Sequence, residues 1–304
     1  SALVRGDARG GSGARERHDE DRNPLADVRP VGPAAVLDGG IDLLRHRFGR
    51  LIALTACLYL PVWLFDLSLV VFGPVDATER TGTLGGPAAV LFDSGAGSTL
   101  SGWVYVVGAL QMVALSLLGL AVGHLAAALV TGRDATLGEL AGVLARRWWV
   151  ALLILPLNAV VHGLSACLGG IGWFIGDAFV FMGSVVAGAE RTGPLKAWLR
   201  GVRLSSAEFG RALVISFGGV VITVVIQTSL SFGPAALVAS LDPASPLVTV
   251  VVAAGAAVVL VTEPLTACIA ARAYVDLRCR VDGWDLELRR DRLLRERADP
   301  VTAA

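Results

Sequence analysis

WVYVVGALQMVALSLLGLAVGHLAAALV, residues 103–130, decides the fold: 28 residues without Asp, Glu, Lys or Arg. As a helix rising about 1.5 Å per residue, it is long enough for a bilayer core of about 30 Å. It is apolar on all sides, whereas a surface helix of a soluble protein shows one apolar stripe. Backbone groups in lipid must be satisfied within the segment, which selects helix. The short alternating strands of a transmembrane barrel are absent from it.

Outward from this run, five more stretches have the same character: 51–72, 150–168, 171–189, 212–232 and 247–271. Only Gly169-Gly170 separates the third and fourth of the six, which predicts a tight hairpin. The whole chain of 304 residues is 54% apolar and 17% charged, with mean hydropathy +0.66. Soluble domains carry about 25% charged residues. This composition excludes a soluble enzyme, a disulfide-stapled secreted module and a nucleic-acid binder. The expected fold is therefore all-α and polytopic, with six transmembrane helices over residues 30–290. Residues 1–29 are polar and rich in Gly and Arg, and are expected to be disordered. Residues 291–304 read as a polar tail, and 73–102 as a Gly/Ser/Thr-rich loop.

The 26 basic and 26 acidic residues cancel, so their placement carries the information. Of the basic residues, 25 fall before the first span, after the even spans, or in the C-terminal segment; Arg80 alone falls elsewhere. The positive-inside rule then puts both termini in the cytoplasm and the protein in the plasma (inner) membrane. The first apolar run starts too far from the N-terminus for a cleavable signal.

Three segments repeat: RHRFGRLIAL at 45–54, ARRWWVALLI at 145–154 and SAEFGRALVI at 206–215. Each follows an amphipathic stretch. The apolar positions are Leu37, Ile41, Leu44 and Phe48 in the first, and Leu137, Leu140, Leu144 and Trp148 in the second. In the third, Leu195, Trp198, Leu199 and Val202 oppose Lys196, Arg200 and Arg203, and Pro194 suits a first turn. A Trp/Leu face against a basic face predicts a helix lying in the membrane interface. The repeating unit is thus one cytoplasmic interfacial amphipathic helix and two spans, three times over. Such repeats either enclose a site at their interface or record duplication of a stable hairpin. The arginines at these mouths, Arg45, Arg47, Arg50, Arg146, Arg147, Arg200 and Arg203, together with Lys196, are candidate contacts for anionic lipid head groups.

Ionisable groups inside spans are costly and mark candidate sites. Glu263, followed by Pro264, is the foremost; His124, His162, Asp177 and Asn158 complete the candidate polar set. Each has a plain structural alternative as a buried hydrogen bond. Gly119 and Gly123, like Gly172 and Gly176, have the spacing of close helix packing. Cys57, Cys167, Cys268 and Cys279 have no metal-binding spacing.

VAGAERTGPLKAWLRGVRLSSAEFGRAL at 186–213, YVDLRCRVDGWDLEL at 274–288 and VLDGGIDLLRHRFGRLIAL at 36–54 resemble the actinobacterial membrane proteins described as the glycerophosphoryl diester phosphodiesterase membrane domain. In two-domain members of that family a separate barrel with metal-binding His, Glu and Asp performs the hydrolysis. Such a barrel needs about 250 residues of its own, and the tails here hold nothing of that size. The resemblance therefore implies a membrane module without the catalytic barrel. Within the terminal signature, Asp276, Arg278, Arg280 and Asp285 form either a salt-bridged helix end or a docking surface for a protein partner.

No phosphate-binding glycine loop, nucleophile elbow or paired-histidine zinc motif occurs in the sequence, and no cofactor is expected. The sequence supports a non-enzymatic inner-membrane protein that organises lipids or a membrane or cytoplasmic partner. The alternative is a small transporter or permease using Glu263.

Overall fold

A computed structural model describes residues 25, 29–72, 102–241 and 257–298. Most of the expected N-terminal tail, residues 73–101 of the expected loop and the first part of 247–271 lie outside the described residues. The described residues form helices: α1 (Pro33–His46), α2 (Phe48–Phe72), α3 (Gly102–Val130), α4 (Leu137–Ala166), α5 (Gly169–Val180), α6 (Gly183–Glu190), α7 (Pro194–Ala207), α8 (Phe209–Gln227), a π-helical turn (Thr228–Phe232), α9 (Gly233–Leu241), α10 (Val259–Asp282) and α11 (Trp284–Ala298). Five apolar segments within them are long enough to cross a membrane: Phe48–Phe65, Val106–Val130, Leu137–Ser165, Ile171–Glu190 and Phe209–Leu230.

The first and third repeats match residue for residue. Gly32-Pro33 and Gly193-Pro194 open α1 and α7, with proline in the first turn, where its missing N–H costs nothing. Arg47 and Glu208 then leave helical geometry at φ −122° and −128°. Phe48-Gly49-Arg50 and Phe209-Gly210-Arg211 restart the chain as α2 and α8. The buried positions correspond as well: Val36 with Ala197, Gly40 with Gly201, Leu43 with Leu204, and Leu44 with Ser205.

The second unit departs from this plan. A separate amphipathic helix before 150 is expected, but α4 runs unbroken from Leu137. Thr136 and Glu139 close a capping box that starts the helix. Trp149 and Val150 replace the Gly-Arg pair that follows the break elsewhere. Two spans are also irregular. The fourth stretch is divided at Phe181-Met182, and Gly183 just beyond faces Trp198 of α7. The fifth continues beyond 232 through the π turn into α9.

The helices form two layers. In α3, 78% of the apolar window is buried, against 22% in the windows of α2, α4 and α8. α3, α6 and α10 therefore form the inner layer, packed on one another, and α2, α4 and α8 stand outside. Leu60, Leu64, Leu152, Leu153, Val214 and Val221 are exposed on these outer helices. Glycines bring the inner helices into backbone contact: a Cβ on Gly123 would lie 2.1 Å from the Val185 carbonyl oxygen, and one on Gly188 would lie 2.0 Å from that of Leu120.

α7 presents a face that the sequence reading missed. Its stripe of Ala197, Gly201, Leu204 and Ser205 is the one packed into the protein, whereas Leu195 and Leu199 are exposed. α1 does the same against α10, where Gly40 meets the Ile269 backbone and Gly39 underlies Arg272. Neither helix rests on the bundle by its Leu/Trp stripe alone.

Candidate functional site

Arginines bind the units together at one end of the bundle, the basic end. Arg47 Nε and Arg50 Nη1, at the start of α2, lie 3.1 and 2.7 Å from the two oxygens of Asp134, just beyond α3. Arg147 of α4 donates to the Ala187 carbonyl at 3.1 Å and to that of Thr192, around the end of α6. Arg211, at the start of α8, donates to Asp276 near the end of α10 at 2.7 Å. In all three units an outer helix is thus fastened to the end of the inner helix that follows it, at its start in the first and third units and from within α4, at Arg147, in the second. Burial raises the Asp134 carboxyl, but the hydrogen bond from Arg50 and the charges of Arg47 and Arg50 outweigh it and hold the group below its ordinary value. This clasp is accordingly present above the usual carboxylate range and is lost as pH falls through the depressed value.

Asp276 closes the ring. It is fully buried and accepts from the Val31 backbone N–H at 2.8 Å, while Arg280 Nε approaches it at 3.5 Å and Arg280 also donates to the Val31 carbonyl. Because Val31 leads into α1, the end of the third unit is joined to the start of the first. Beside it, Glu190 accepts from Arg200 at 3.3 Å and from the Tyr274 hydroxyl at 3.0 Å. Arg200 also pairs with Asp282; burial lowers the guanidinium, but these two carboxylates prevail and raise it. Burial likewise drives the Tyr274 phenol upward, opposed by Arg278. Arg278 stacks over the Trp284 ring at 4.1 Å.

The terminal signature is therefore a buried junction in its main residues. Asp276 cannot serve the docking surface considered from the sequence, because it has no exposed area, and Arg278 and Arg280 are tied to Tyr274 and Val31. Asp285 sits in the first turn of α11. The eight basic lipid-contact candidates divide in the same way. Arg47, Arg50, Arg147 and Arg200 are committed to partners within the chain, whereas Arg45, Arg146, Lys196 and Arg203 are exposed.

The candidate polar residues fall into separate places. Glu263 is buried in α10 with the Tyr59 hydroxyl of α2 beside it; that hydroxyl donates its proton to the Gln111 carbonyl at 3.2 Å. Around the same level, Gln227 donates to Thr262 at 3.2 Å and Thr223 meets Thr266 at 3.2 Å, joining α8 to α10. Gln227 immediately precedes the π turn, a distortion often found at functional sites. His124 lies apart from Glu263, with Arg133, Glu139, Arg147 and Arg191 as its charged neighbours. Asn158 accepts from Trp198 Nε1 at 3.0 Å and fastens α7 to α4. Asp177 and His162 do come together, at 3.8 Å, with Ser216 donating to the other Asp177 oxygen.

Sequence reading missed Tyr59, Gln227 and Thr262. Gln227 carried a signal, as an amide interrupting the run VVITVVIQ; Tyr59 carried none, since an aromatic in a span is commonplace. Among the described residues no group of three His, Cys, Asp or Glu side chains could hold a metal ion, and the four cysteines are unbridged. No family model, curated protein or solved structure matches this chain.

Proposed function

We propose that this protein is a non-enzymatic, six-span module of the plasma (inner) membrane, with cytoplasmic termini, that gathers anionic lipids around its cytoplasmic rim. The sixth span is 247–271, and the family it would belong to is the glycerophosphoryl diester phosphodiesterase membrane domain. The observation that carries the reading is the division of the basic residues. Four are consumed in clasps, while Arg45, Arg146, Lys196 and Arg203 stay exposed close in sequence to exposed Phe48, Trp148, Trp149, Leu195 and Leu199. Apolar and aromatic groups at lipid head-group depth beside unneutralised cations are the elements of an anionic-lipid surface.

Each such cation contributes about 1 kcal/mol near an anionic surface. Replacing Arg45, Arg146, Lys196 and Arg203 with Gln should therefore lower the enrichment of phosphatidylglycerol over phosphatidylcholine by up to about fivefold per charge at low salt. Native mass spectrometry of protein released from mixed-lipid nanodiscs reads this directly. Unchanged enrichment in the folded quadruple variant rejects the lipid-gathering role.

A second reading, a proton-coupled transporter or permease, rests on the burial of Glu263 beside Tyr59. Under it, Glu263→Gln abolishes pH-dependent flux in liposomes and leaves the fold intact. Under a purely structural role Gln is nearly silent, because a protonated Glu and a Gln make comparable hydrogen bonds. Glu263→Leu, which removes the polar partner of Tyr59, would then cost about 1–3 kcal/mol. Absence of flux from the wild type in proton-gradient liposomes removes the transport reading.

A further inference from the structure

We infer that His162 and Asp177 form a proton-binding site, holding one proton between the imidazole Nε2 and a carboxylate oxygen. The argument starts from how the two side chains are fixed. In α4, His162 Nδ1 lies 3.0 Å from the Asn158 carbonyl oxygen, one helical turn earlier. A carbonyl only accepts, so Nδ1 carries the hydrogen and the neutral ring presents a lone pair at Nε2. That nitrogen is buried, has no hydrogen-bond partner, and stands 3.8 Å from Asp177 Oδ1. The Asp177 Oδ2 atom already accepts from the Ser216 hydroxyl of α8. Two acceptors, a nitrogen lone pair and a carboxylate oxygen, therefore face each other between helices.

Close approach of α4 and α5 makes this possible and hard to relax. A Cβ on Gly172 would stand 1.8 Å from the Ser165 carbonyl oxygen, and one on Gly176 would stand 2.3 Å from Ser165 Oγ and 3.7 Å from the His162 ring. The two glycines let α5 approach α4 far enough to bring Asp177 to His162. Trp173 covers the imidazole with ring centroids 4.4 Å apart. Phe174 packs edge-on against Phe217 of α8.

Charges elsewhere are engaged away from this point. On α4, Arg147 serves the end of α6. On α7, Arg200 pairs with Glu190 and Asp282, and Lys196 and Arg203 are exposed. On α8, Arg211 pairs with Asp276. Among the described residues, the titratable side chain set against Asp177 is thus His162.

A bare carboxylate in an apolar helical layer is costly, and so is a bare imidazolium. With no shared proton the site holds the first; with two it holds the second. One proton avoids both, either as Nε2–H facing a carboxylate or as a carboxylic acid donating to Nε2. It comes from hydronium, leaving water, and no other bond changes. Closing the gap by about 1 Å gives a charge-assisted hydrogen bond of ordinary length. The site is separate from the lipid-facing residues and from Glu263. Its register is nonetheless the same as that of Glu263: Asp177 and Glu263 each stand thirteen residues before the anchored acids Glu190 and Asp276. The repeat thus carries two carboxyl positions, one against a phenol and one against an imidazole.

The test uses the full chain in nanodiscs at neutral pH, with ¹⁵N-labelled histidine and ¹³C-labelled aspartate. His162→Gln and Asp177→Asn assign the resonances and the carboxyl bands. The expected wild-type result is one proton per molecule at the pair: a protonated Nε2 with an ionised Asp177, or a bare Nε2 with an Asp177 acid band. Asp177→Asn, which keeps an acceptor for Ser216, should leave Nε2 without that proton, and Glu263→Gln should leave the wild-type signature in place. A wild-type spectrum with Nε2 bare and Asp177 ionised, or with both protonated, overturns the inference without reliance on any variant. Persistence of a protonated Nε2 in Asp177→Asn does so as well.

Discussion

Asp276→Ala should destabilise the protein by about 3–5 kcal/mol, the cost of removing one partner from a buried ion pair. The side chain is fully buried and takes three contacts from three parts of the chain: the Val31 N–H, Arg211 and Arg280. Alanine strands the Val31 donor and leaves Arg211, only 13% exposed, with an uncompensated charge. Because Val31 begins the first unit and Asp276 ends the third, the damage should spread to the docking of α1 on α10. Proteolysis near residue 31 should accelerate along with the drop in melting temperature. Asp276→Asn separates the two contributions, since it retains a carbonyl for Val31 but not the charge. Pairing it with Arg211→Gln should recover part of the loss, because the stranded cation is then gone. A melting temperature for Asp276→Ala equal to wild type would mean that the junction is dispensable and that the ring is closed by apolar packing alone.

How far this was legible in the sequence depends on the range of the interaction. Long apolar runs announce themselves locally, and five of the six stretches are helices long enough to cross a membrane. Spacing of small residues was equally readable: Gly119 and Gly123, like Gly172 and Gly176, do sit where a Cβ would strike the neighbouring helix. The helix breaks before Phe-Gly-Arg at 47 and 208 follow the repeat as read from the sequence, whereas the segment with Trp-Trp-Val in that place continues as one helix, which the repeat did not reveal. Pairings between residues far apart in sequence were beyond reach. Arg211 and Asp276 are 65 positions apart, and Val31 and Asp276 are 245 apart. No periodicity links such residues, so the terminal signature was readable as a salt-bridged helix end, in preference to a docking face, but not as a buried junction between the first and third units. The same limit explains why His124 was grouped with Glu263, when the hydroxyl of Tyr59 occupies that place.

Gly123→Leu should be strongly damaging at the contact between α3 and α6. The helices α3 and α6 approach so closely that the Cβ of any residue at 123 would fall 2.1 Å from the Val185 carbonyl oxygen and 2.9 Å from its Cα. Those obstacles are backbone atoms and cannot rotate away, so α6 must be displaced as a body. Overpacking a core commonly costs about 1–3 kcal/mol and sometimes more; a leucine against a backbone belongs at or beyond the upper end of that range. Gly188→Leu attacks the same interface from the other side, where Leu120 O lies 2.0 Å from the added Cβ. The two changes should therefore be far from additive, because the first has already parted the helices. Gly163→Ala is the control: it lies inside α4 with nothing within 4 Å of the added carbon. Replacing that helical glycine should be neutral or stabilising by up to about 1 kcal/mol. Separation of α6 from α3 also drags Arg147 from its acceptors at Ala187 and Thr192, so the basic end should loosen together with the apolar layer. Hydrogen exchange of the α6 amides in Gly123→Leu should rise well above that in Gly163→Ala. Equal protection in the two variants would show that the inner helices can repack around a side chain at 123, and that the glycine contact does not hold the layer together.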